Sequence, residues 1–395
     1  MRERLSIAVA GAGIGGLAAA CLLADAGHRV TLYDRFPEPR PVGSGLVIQP
    51  VGLAVLAILG LADEARALGQ PLRRLFGENA AGRPVLDVSY GTESGLGIHR
   101  ATLHGLLWQA AQARAIPIQP GAEITGRDGS CLRINGRSTA PADLIIDAMG
   151  ARSPLSPLVA RALPYGALWT TVDWPATDLP LTELRQRYRA AARMIGVLPI
   201  GRLPGDSRPK AALFWSTRTD APPGDWISEA HALWPAAAPF LAQVTDPAQM
   251  TLARYSHGTL RGPYADGLVH IGDAAHRASP QLGQGANMAL LDAHALALAL
   301  THADGQDPLA LYARARRAHV ALYQAFSAAF TPQYQSDSRA LPWLRDHLLH
   351  PLSQFPPLPR LLTRLVTGRL VPPLASLARS QPRDTPPGPA KPLDL

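Results

Sequence analysis

Two stretches of this chain carry residue types spaced for holding an anionic, nucleotide-like ligand. The denser one runs from Leu268 to Asp292, LVHIGDAAHRASPQLGQGANMALLD. Its apolar start, Leu268 to Ile271, is expected to be a strand that leads into Gly272 and Asp273. A loop follows with Pro280 at its turn, and Gly283 and Gly285 open a helix expected to begin near Ala286. Glycine lets backbone approach a ligand closely. A helix N-terminus offers free N–H groups and partial positive charge, and a carboxylate placed ahead of it can accept from hydroxyl groups. These are the parts needed to hold a polyol-phosphate ligand with a ring that can become anionic.

The second stretch opens the chain. Ser6 to Ala10 is a short apolar run, expected as a buried parallel strand. Gly11-Ala12-Gly13-Ile14-Gly15-Gly16 follows, with Gly11, Gly13 and Gly16 in G-x-G-x-x-G register. Leu17 to Ala26 is expected as a helix stopped by Gly27, and His28 to Tyr33 as a second strand ending at Asp34. A carboxylate about 20 residues beyond such a turn is placed to take a ribose hydroxyl pair, and a pyrophosphate would sit on the helix N-terminus. The glycines alone are a weak signal. With strand, helix and Asp34 in register they point to a dinucleotide, without choosing between NAD and FAD. Leu5 to Ala24 is uncharged and follows Arg2 and Arg4, as a signal peptide or membrane span would. The four glycines within it suit a strand, turn and helix instead.

Gly272-Asp273-Ala274-Ala275-His276, Pro280, Gly283, Gly285, Asn287 and Asp292 resemble the second flavin-contacting segment of the FAD-dependent monooxygenases of the aromatic-hydroxylase type. These are the group A flavoproteins similar to p-hydroxybenzoate hydroxylase, and the resemblance spans Ser6 to about Ala303. It implies an α/β fold: a glutathione-reductase-type FAD-binding domain, which is a parallel sheet with a β-meander insert, plus a smaller substrate domain with a mainly antiparallel sheet, and C-terminal helices. By the same resemblance FAD would lie with its pyrophosphate on Gly13, Ile14, Gly15 and Gly16 and its adenosine end near Asp34, with Gly11 and Arg35, which follows the acidic residue, also among the cofactor-binding residues. Gly45 would belong to a loop passing over the flavin, Arg100 would contact its side of the site, and Asp273 would lie near the ribityl chain. Pro280 would line the reactive edge, with Gly283, Gly285, Ala286 and Asn287 about the ring. NAD(P)H is implied as co-substrate and O2 as the oxidant, with oxygen passing to substrate from a flavin C4a-hydroperoxide.

The family's middle motif usually reads Gly-Ala-Asp-Gly, then Ser, then Arg three places later. Here it is Asp147-Ala148-Met149-Gly150, Ser153 and Ser156. Met149 and Ser156 thus stand where an acid and an arginine are usual, in a motif associated in that family with both FAD and NAD(P)H handling, so the resemblance to the usual nicotinamide-driven reduction is weakened here. The leading expectation is hydroxylation or epoxidation of a small apolar compound, aromatic or polyketide-like. The alternatives are an FAD-dependent dehydrogenase, oxidase or reductase without oxygen insertion, and a flavin-binding protein without turnover. No catalytic residue stands out; His257, Tyr255 and Arg193 are candidates by location only.

The positioning elements follow from patterning. Leu53 to Leu59 is expected as a helix, and so is Arg100 to Ala113, with Leu103, Leu106, Leu107, Ala110 and Ala111 on one face. Ile116–Gln119, Ala122–Thr125, Cys131–Ile134 and Ser138–Ala140 read as short strands, with Asn135-Gly136 a hairpin turn. Arg35 to Pro50 reads as a loop. Leu168–Val172, Met194–Pro199 and Ala211–Thr217 read as strands of a second sheet, joined by strands from Leu72–Tyr90. Trp169, Trp174, Phe214, Trp215 and Trp226 would give that sheet an aromatic face for a flat substrate. Asp307 to Phe330 reads as a long helix. Leu341 to Leu377 is apolar, basic and broken by prolines; it is expected to cap the substrate site in preference to touching a membrane.

The expected division is 1–70, 96–160 and 258–330 for the FAD-binding domain, 71–95 and 161–257 for the substrate domain, 331–380 for the helical cap, and 381–395 as a disordered tail. The 395 residues suffice for two or three domains. The net charge of +8 comes almost wholly from scattered arginines, with Lys210 and Lys391 the only lysines. No basic run reads as a nucleic-acid tail, so neither nucleic acid nor membrane is expected as a partner, and the oligomeric state is left open. Cys21 and Cys131 are the only cysteines, which fits a reducing cytoplasm. His347 and His350 lack the further partners a metal site needs, and no metal is expected.

Overall fold

The computed structural model describes residues 4–38, 43–221, 224–303, 305–374 and 377. The expected tail 381–395 lies outside these residues. The uncharged start of the chain forms strand Ser6–Ala10 and, past the glycine turn, helix Ile14–Asp25. The strand lies inside a six-stranded sheet ordered Tyr264–Ala265, Leu268–His270, Leu144–Asp147, Ser6–Ala10, Arg29–Tyr33 and Ile118–Gln119. Every neighbouring pair is parallel except the first. Near-continuous apolar runs suit such strands, because parallel sheets are covered on both faces. Ile7, Val9, Ile146 and Val269 pack on one face against helices Ile14–Asp25, Arg100–Ala113 and Gly285–His302. Ala8, Ala10, Ile145 and Leu268 pack on the other against Ile124 and Leu132. Those two belong to an antiparallel meander of Ile124–Asp128, Cys131–Ile134 and Arg137–Ser138. Its hairpin closes on Asn135-Gly136 at φ 49° and 78°, the pair of positive angles that a two-residue type I′ turn requires.

A second, eight-stranded sheet is ordered His276–Arg277, Thr251–Thr259, Arg161–Asp173, Lys210–Arg218, Arg193–Pro199, Glu183–Arg189, Arg74–Asn79 and Pro84–Ser89. It is antiparallel except between Glu183–Arg189 and Arg74–Asn79. The last two strands come from the Leu72–Tyr90 stretch, as expected. Strand Glu183–Arg189 was not expected, because ELRQRYR offers only Leu184 and Tyr188 as apolar residues among four charged ones. Leu184 and Tyr188 pack into an apolar cluster, and charge holds the arginine-rich face. Arg187 and Arg185 reach Glu78 at 3.2 and 3.7 Å, and Arg74 reaches Glu183 at 3.7 Å. The guanidiniums of Arg74 and Arg185 also lie over the Phe76 ring.

Two expectations are corrected here. Gly45–Ile48, placed in a loop by its proline- and glycine-rich flank, is a strand pairing with Gly95–His99 in a small sheet that also holds Gln70–Leu72. The single aromatic face is in fact two. Successive strand residues point to opposite faces, so Phe214 and Trp215 part company. Trp215 and Trp226 are buried in a cluster with Phe240, against which Trp174 packs. Only Trp169 and Phe214 face the cavity described below, stacked with ring centroids 4.4 Å apart.

Helix Pro308–Tyr334 is capped by Asp307, whose carboxylate accepts from the Leu309 N–H, and starts with proline. The chain then makes short helical turns at Ala340–Leu344, Arg345–Leu349 and His350–Ser353, and a helix at Leu358–Val366. Among the described residues no helix is long and apolar enough to cross a membrane.

Candidate functional site

The two glycine helices meet. A Cβ added to Gly15 would lie 3.1 Å from the Ala289 Cβ, and one on Gly272 would lie 3.2 Å from the same atom. Small residues on both sides therefore let helices Ile14–Asp25 and Gly285–His302 touch near their N-termini. Both open on one cavity of about 960 Å³. Helices starting at Arg100, Trp226 and Pro308 are capped by the side chains of His99, Asp225 and Asp307. Helices Pro50–Ile58, Ala62–Leu68 and Leu358–Val366 have no side-chain cap, and neither has either glycine helix. The first N–H groups of the two glycine helices are left to the cavity, the arrangement that receives phosphate or a developing anion.

Of the residues singled out by sequence, Gly13, Ile14, Gly15, Gly45, Arg100, Asp273, Pro280, Gly283, Gly285 and Ala286 line this cavity. Gly13 and Gly285 face open space: an added Cβ would meet nothing within 4 Å. Arg100 and Asp273 are exposed to the cavity and have no ion-pair partner among the described residues. Gly283 sits at φ 61°, the left-handed conformation that lets the chain turn into the helix.

The other singled-out residues do not line the cavity. Gly11, at φ 103°, and Gly16 are packing glycines. Added Cβ atoms would sit 2.7 Å from the Ala148 carbonyl oxygen and 1.9 Å from that of Gly11. Asp34 spends its carboxylate on the turn, accepting from the Ala12 N–H at 2.7 Å and the Phe36 N–H at 2.9 Å. Arg35 stacks over Phe36. Asn287 is fully buried and used up: its Oδ1 accepts from the Gln49 N–H, and its Nδ2 donates to the carbonyls of Val47 and Gly283. It therefore pins the Gly45–Ile48 strand to the second glycine helix. In the middle motif, Ser153 donates to Asp147 at 2.7 Å and Ser156 to the Ala274 carbonyl at 2.6 Å. The Ser156 hydroxyl is thus spent on a neutral hydrogen bond to the backbone one residue past Asp273.

Behind the second turn stands a buried charge cluster. Asp292 accepts from the Gly272 N–H at 2.9 Å, from His276 Nε2 at 2.6 Å and from Arg316 Nε at 2.8 Å. Burial pushes its carboxyl up, but the His276 and Arg316 charges and hydrogen bonds prevail and hold it well below the usual carboxylate range. Asp292 and His276 belong to the sequence motif. Arg316 is on the next helix and gave no sequence signal.

His319, one turn on, is fully buried. Its Nε2 faces the Gly368 carbonyl at 3.0 Å, which can only accept, so that nitrogen carries the hydrogen and donates. Its Nδ1 faces Arg316 at 3.4 Å and must be bare. Burial and the Arg316 charge press its pKa down to about 4. A histidine depressed this way adds stability that is complete above its unfolded pKa near 6.5 and is lost as pH falls through 6.5 toward 4. We expect a loss of about 3 kcal/mol across that window, read as a falling urea midpoint. His319→Gln keeps the donor to Gly368 and should remove most of that slope.

The far half of the cavity is different. Trp169 and Phe214 form an aromatic wall, with Leu75, Val88, Met194 and Leu198 around it. Of the three residues singled out by location, only Tyr255 lines the cavity. His257 accepts from the Ser279 N–H and Arg193 pairs with Glu229, both away from it. Tyr255 accepts a hydrogen bond from Trp169 Nε1 at 2.9 Å, which leaves its own proton free. Burial pushes its pKa up to about 12, with the Trp169 bond opposing. It is therefore a donor, not a base, near neutrality.

The FAD binding domain family matches residues 4–327. The chain is 30% identical to 3-amino-4-hydroxybenzoate 2-monooxygenase of Streptomyces cremeus over 73% of this chain and 76% of that enzyme. It is 26% identical to aurachin C monooxygenase/isomerase of Stigmatella aurantiaca over 89% of this chain and 96% of that enzyme. In fold it is similar to a solved variant of 2-methyl-3-hydroxypyridine-5-carboxylic acid oxygenase, with a TM-score of 0.78, 21% identity, and coverage of 93% and 99% of the two chains. With two uncapped helices opening on one glycine-lined cavity and a family match over most of its length, the chain belongs to the FAD-dependent monooxygenases of the aromatic-hydroxylase type.

Proposed function

We propose that this enzyme inserts one oxygen atom into a flat, apolar, aromatic or polyketide-like compound stacked in the Trp169–Phe214 half of the cavity. One observation carries the reading: a single cavity has two uncapped helix N-termini at one end and an aromatic wall at the other. FAD fits the first end, because Gly13 and Gly285 leave room where any side chain would intrude and Arg100 supplies an unpaired cation. Gly13 to Gly15 and Arg100 would hold its pyrophosphate, Asp34 and Arg35 would stand by the adenosine end, and Asp273 would accept from the ribityl hydroxyls. Gly283, Gly285 and Ala286 would border the ring, with Gly45 and Pro280 walling it. Asn287, Gly11 and Gly16 would act by holding these parts in place. Bound FAD, reduced by NAD(P)H, supplies the activated oxygen. The chain's own residues do the rest. The N-terminus of helix Gly285–His302 would stabilise negative charge on the ring by ~0.3–2 kcal/mol. Tyr255 donates its free proton to a hydroxyl or carbonyl oxygen of the substrate and so orients it, while the apolar wall keeps water out.

We further propose that 1–70, 96–160 and 258–330 act as the FAD-binding domain, 71–95 and 161–257 as the substrate domain, and 331–380 as its cap. Free Cys21 and Cys131 support a reducing, cytoplasmic setting. The test is to purify the protein, record its absorbance and screen aromatic compounds for stimulated NAD(P)H oxidation, with one atom of O2 incorporated per product and the other released as water. A colourless protein that cannot be reconstituted with FAD overturns the reading. Product formed without oxygen incorporation favours a dehydrogenase or oxidase. Asp273→Ala should purify folded but without flavin; full flavin absorbance in that variant would contradict the role given to Asp273.

A further inference from the structure

The cap and the membrane contact, set against each other as readings of residues 341–377, fit the two faces of one element. Leu362 and Leu365 of helix Leu358–Val366 face inward and line the cavity. The outward face is apolar too. Among the described residues, most of the exposed large hydrophobic side chains fall between 343 and 361. They include Trp343, 62% exposed, and Phe355, 65% exposed, with Leu348, Leu352 and Leu361 beside them. Leu349, Leu352 and Leu358 belong to both sets: each is exposed and each lines the cavity. The patch is therefore the lip of the cavity mouth. Monomeric proteins seldom leave so concentrated an apolar patch uncovered.

The charges around the patch say what covers it. Between 339 and 374 there are five arginines and one acidic residue, Asp346. Asp346 is used internally, accepting from Arg345 at 2.7 Å and from Asn79 at 2.9 Å. Arg369 pairs with Glu93. Arg339, Arg360 and Arg364 are exposed and have no ion-pair partner among the described residues. An apolar stripe with tryptophan, on a segment whose exposed Arg339, Arg360 and Arg364 lack an acidic partner among the described residues and on a chain of net charge +8, complements an anionic bilayer surface. A second copy of the chain fits worse, since a twofold pairing sets the same patch against itself and would bring arginine against arginine. Residues 378–395 offer only Leu393 and Leu395 as large apolar side chains and no aromatic, too little to cover it.

We propose that the outer face of 343–364 docks the enzyme on anionic membrane surfaces, lying in the interface without crossing it, so that the cavity mouth opens toward the lipid. The docking is independent of which substrate the cavity takes. The experiment is co-sedimentation of the flavin-loaded enzyme with vesicles of phosphatidylcholine alone and of phosphatidylcholine with phosphatidylglycerol. The enzyme should pellet with the anionic vesicles, less so in high salt. Trp343→Ser with Phe355→Ser should lower the bound-to-free ratio at least tenfold, with flavin absorbance and melting temperature unchanged. If that double variant fails to fold, Trp343→Phe serves: it should still bind, yet lose most of the tryptophan quenching that brominated phosphatidylglycerol vesicles produce in the parent. An enzyme left in the supernatant with both vesicle types overturns the proposal. So does undiminished binding by a folded double variant, Trp343→Phe quenched as fully as the parent, or a dimer in light scattering that the same substitutions split.

Discussion

Asp292→Ala is expected to lower stability by about 3–5 kcal/mol, the range for breaking one side of a buried ion pair. The cost comes from what stays behind. Arg316, 2% exposed, would keep a charge whose Nε had Asp292 as acceptor, though Nη1 would retain the Pro373 carbonyl at 2.9 Å. The Gly272 N–H and His276 Nε2 would lose the same acceptor. Against a total stability of ~5–15 kcal/mol for a domain, this is a large share, and urea unfolding should show it directly. Removing the stranded cation as well, in Asp292→Ala with Arg316→Met, should recover part of the loss. The parent should show the matching acid sensitivity. A carboxyl held below its ordinary range contributes stability above its unfolded pKa near 3.9 and loses it as pH falls further. A single-variant cost under ~1 kcal/mol would mean that the cluster does not anchor the turn.

The same cluster shows where sequence reading succeeds and where it stops. Asp292 and His276 were visible as members of a motif, because the motif is local and its spacing is set by one turn and one helix. Arg316 was not, because its side chain reaches Asp292 across a helix–helix contact that no short window contains. Local rules likewise found helix Arg100–Ala113, strand Cys131–Ile134 and the Asn135-Gly136 turn. They missed strand Glu183–Arg189, where only Leu184 and Tyr188 are apolar and reach the core, and whose charged residues are matched by ion pairs to Glu78 and stacking on Phe76 that lie far off in sequence. The aromatic residues between 169 and 226 were legible as a group but not by face, since strand register decides that Phe214 meets the cavity and Trp215 the core. Asp34 and Asn287 were legible as members of motifs. Their hydrogen bonds, which run to Ala12 and Phe36 and to Gln49, Val47 and Gly283, depend on how the motifs pack.

That difference between touching the ligand and packing the turn gives the second large expectation. Gly13 and Gly16 are three residues apart in one motif, yet they should fail in different ways. Gly13 has φ −75° and ψ −178°, extended backbone open to any residue. Its added Cβ meets nothing within 4 Å. Gly13→Val should therefore fold, with the unfolding midpoint of the flavin-free parent, while its side chain fills the space beside the uncapped helix N-terminus. Affinity for FAD should fall by about a hundredfold or more, or ~2.7 kcal/mol. The variant should leave gel filtration colourless and show no substrate-stimulated NAD(P)H oxidation. Gly16→Val places its Cβ 1.9 Å from the backbone oxygen of Gly11, an atom that no side-chain rotation can move aside. Helix Ile14–Asp25 would be levered off strand Ser6–Ala10, at the centre of the parallel sheet, and the protein should be recovered unfolded or not at all. Circular dichroism and flavin absorbance on the two variants separate the roles. A yellow Gly13→Val protein would mean that the cofactor's phosphates lie elsewhere, and a well-folded Gly16→Val protein would mean that the first turn is not packed as closely as its backbone indicates.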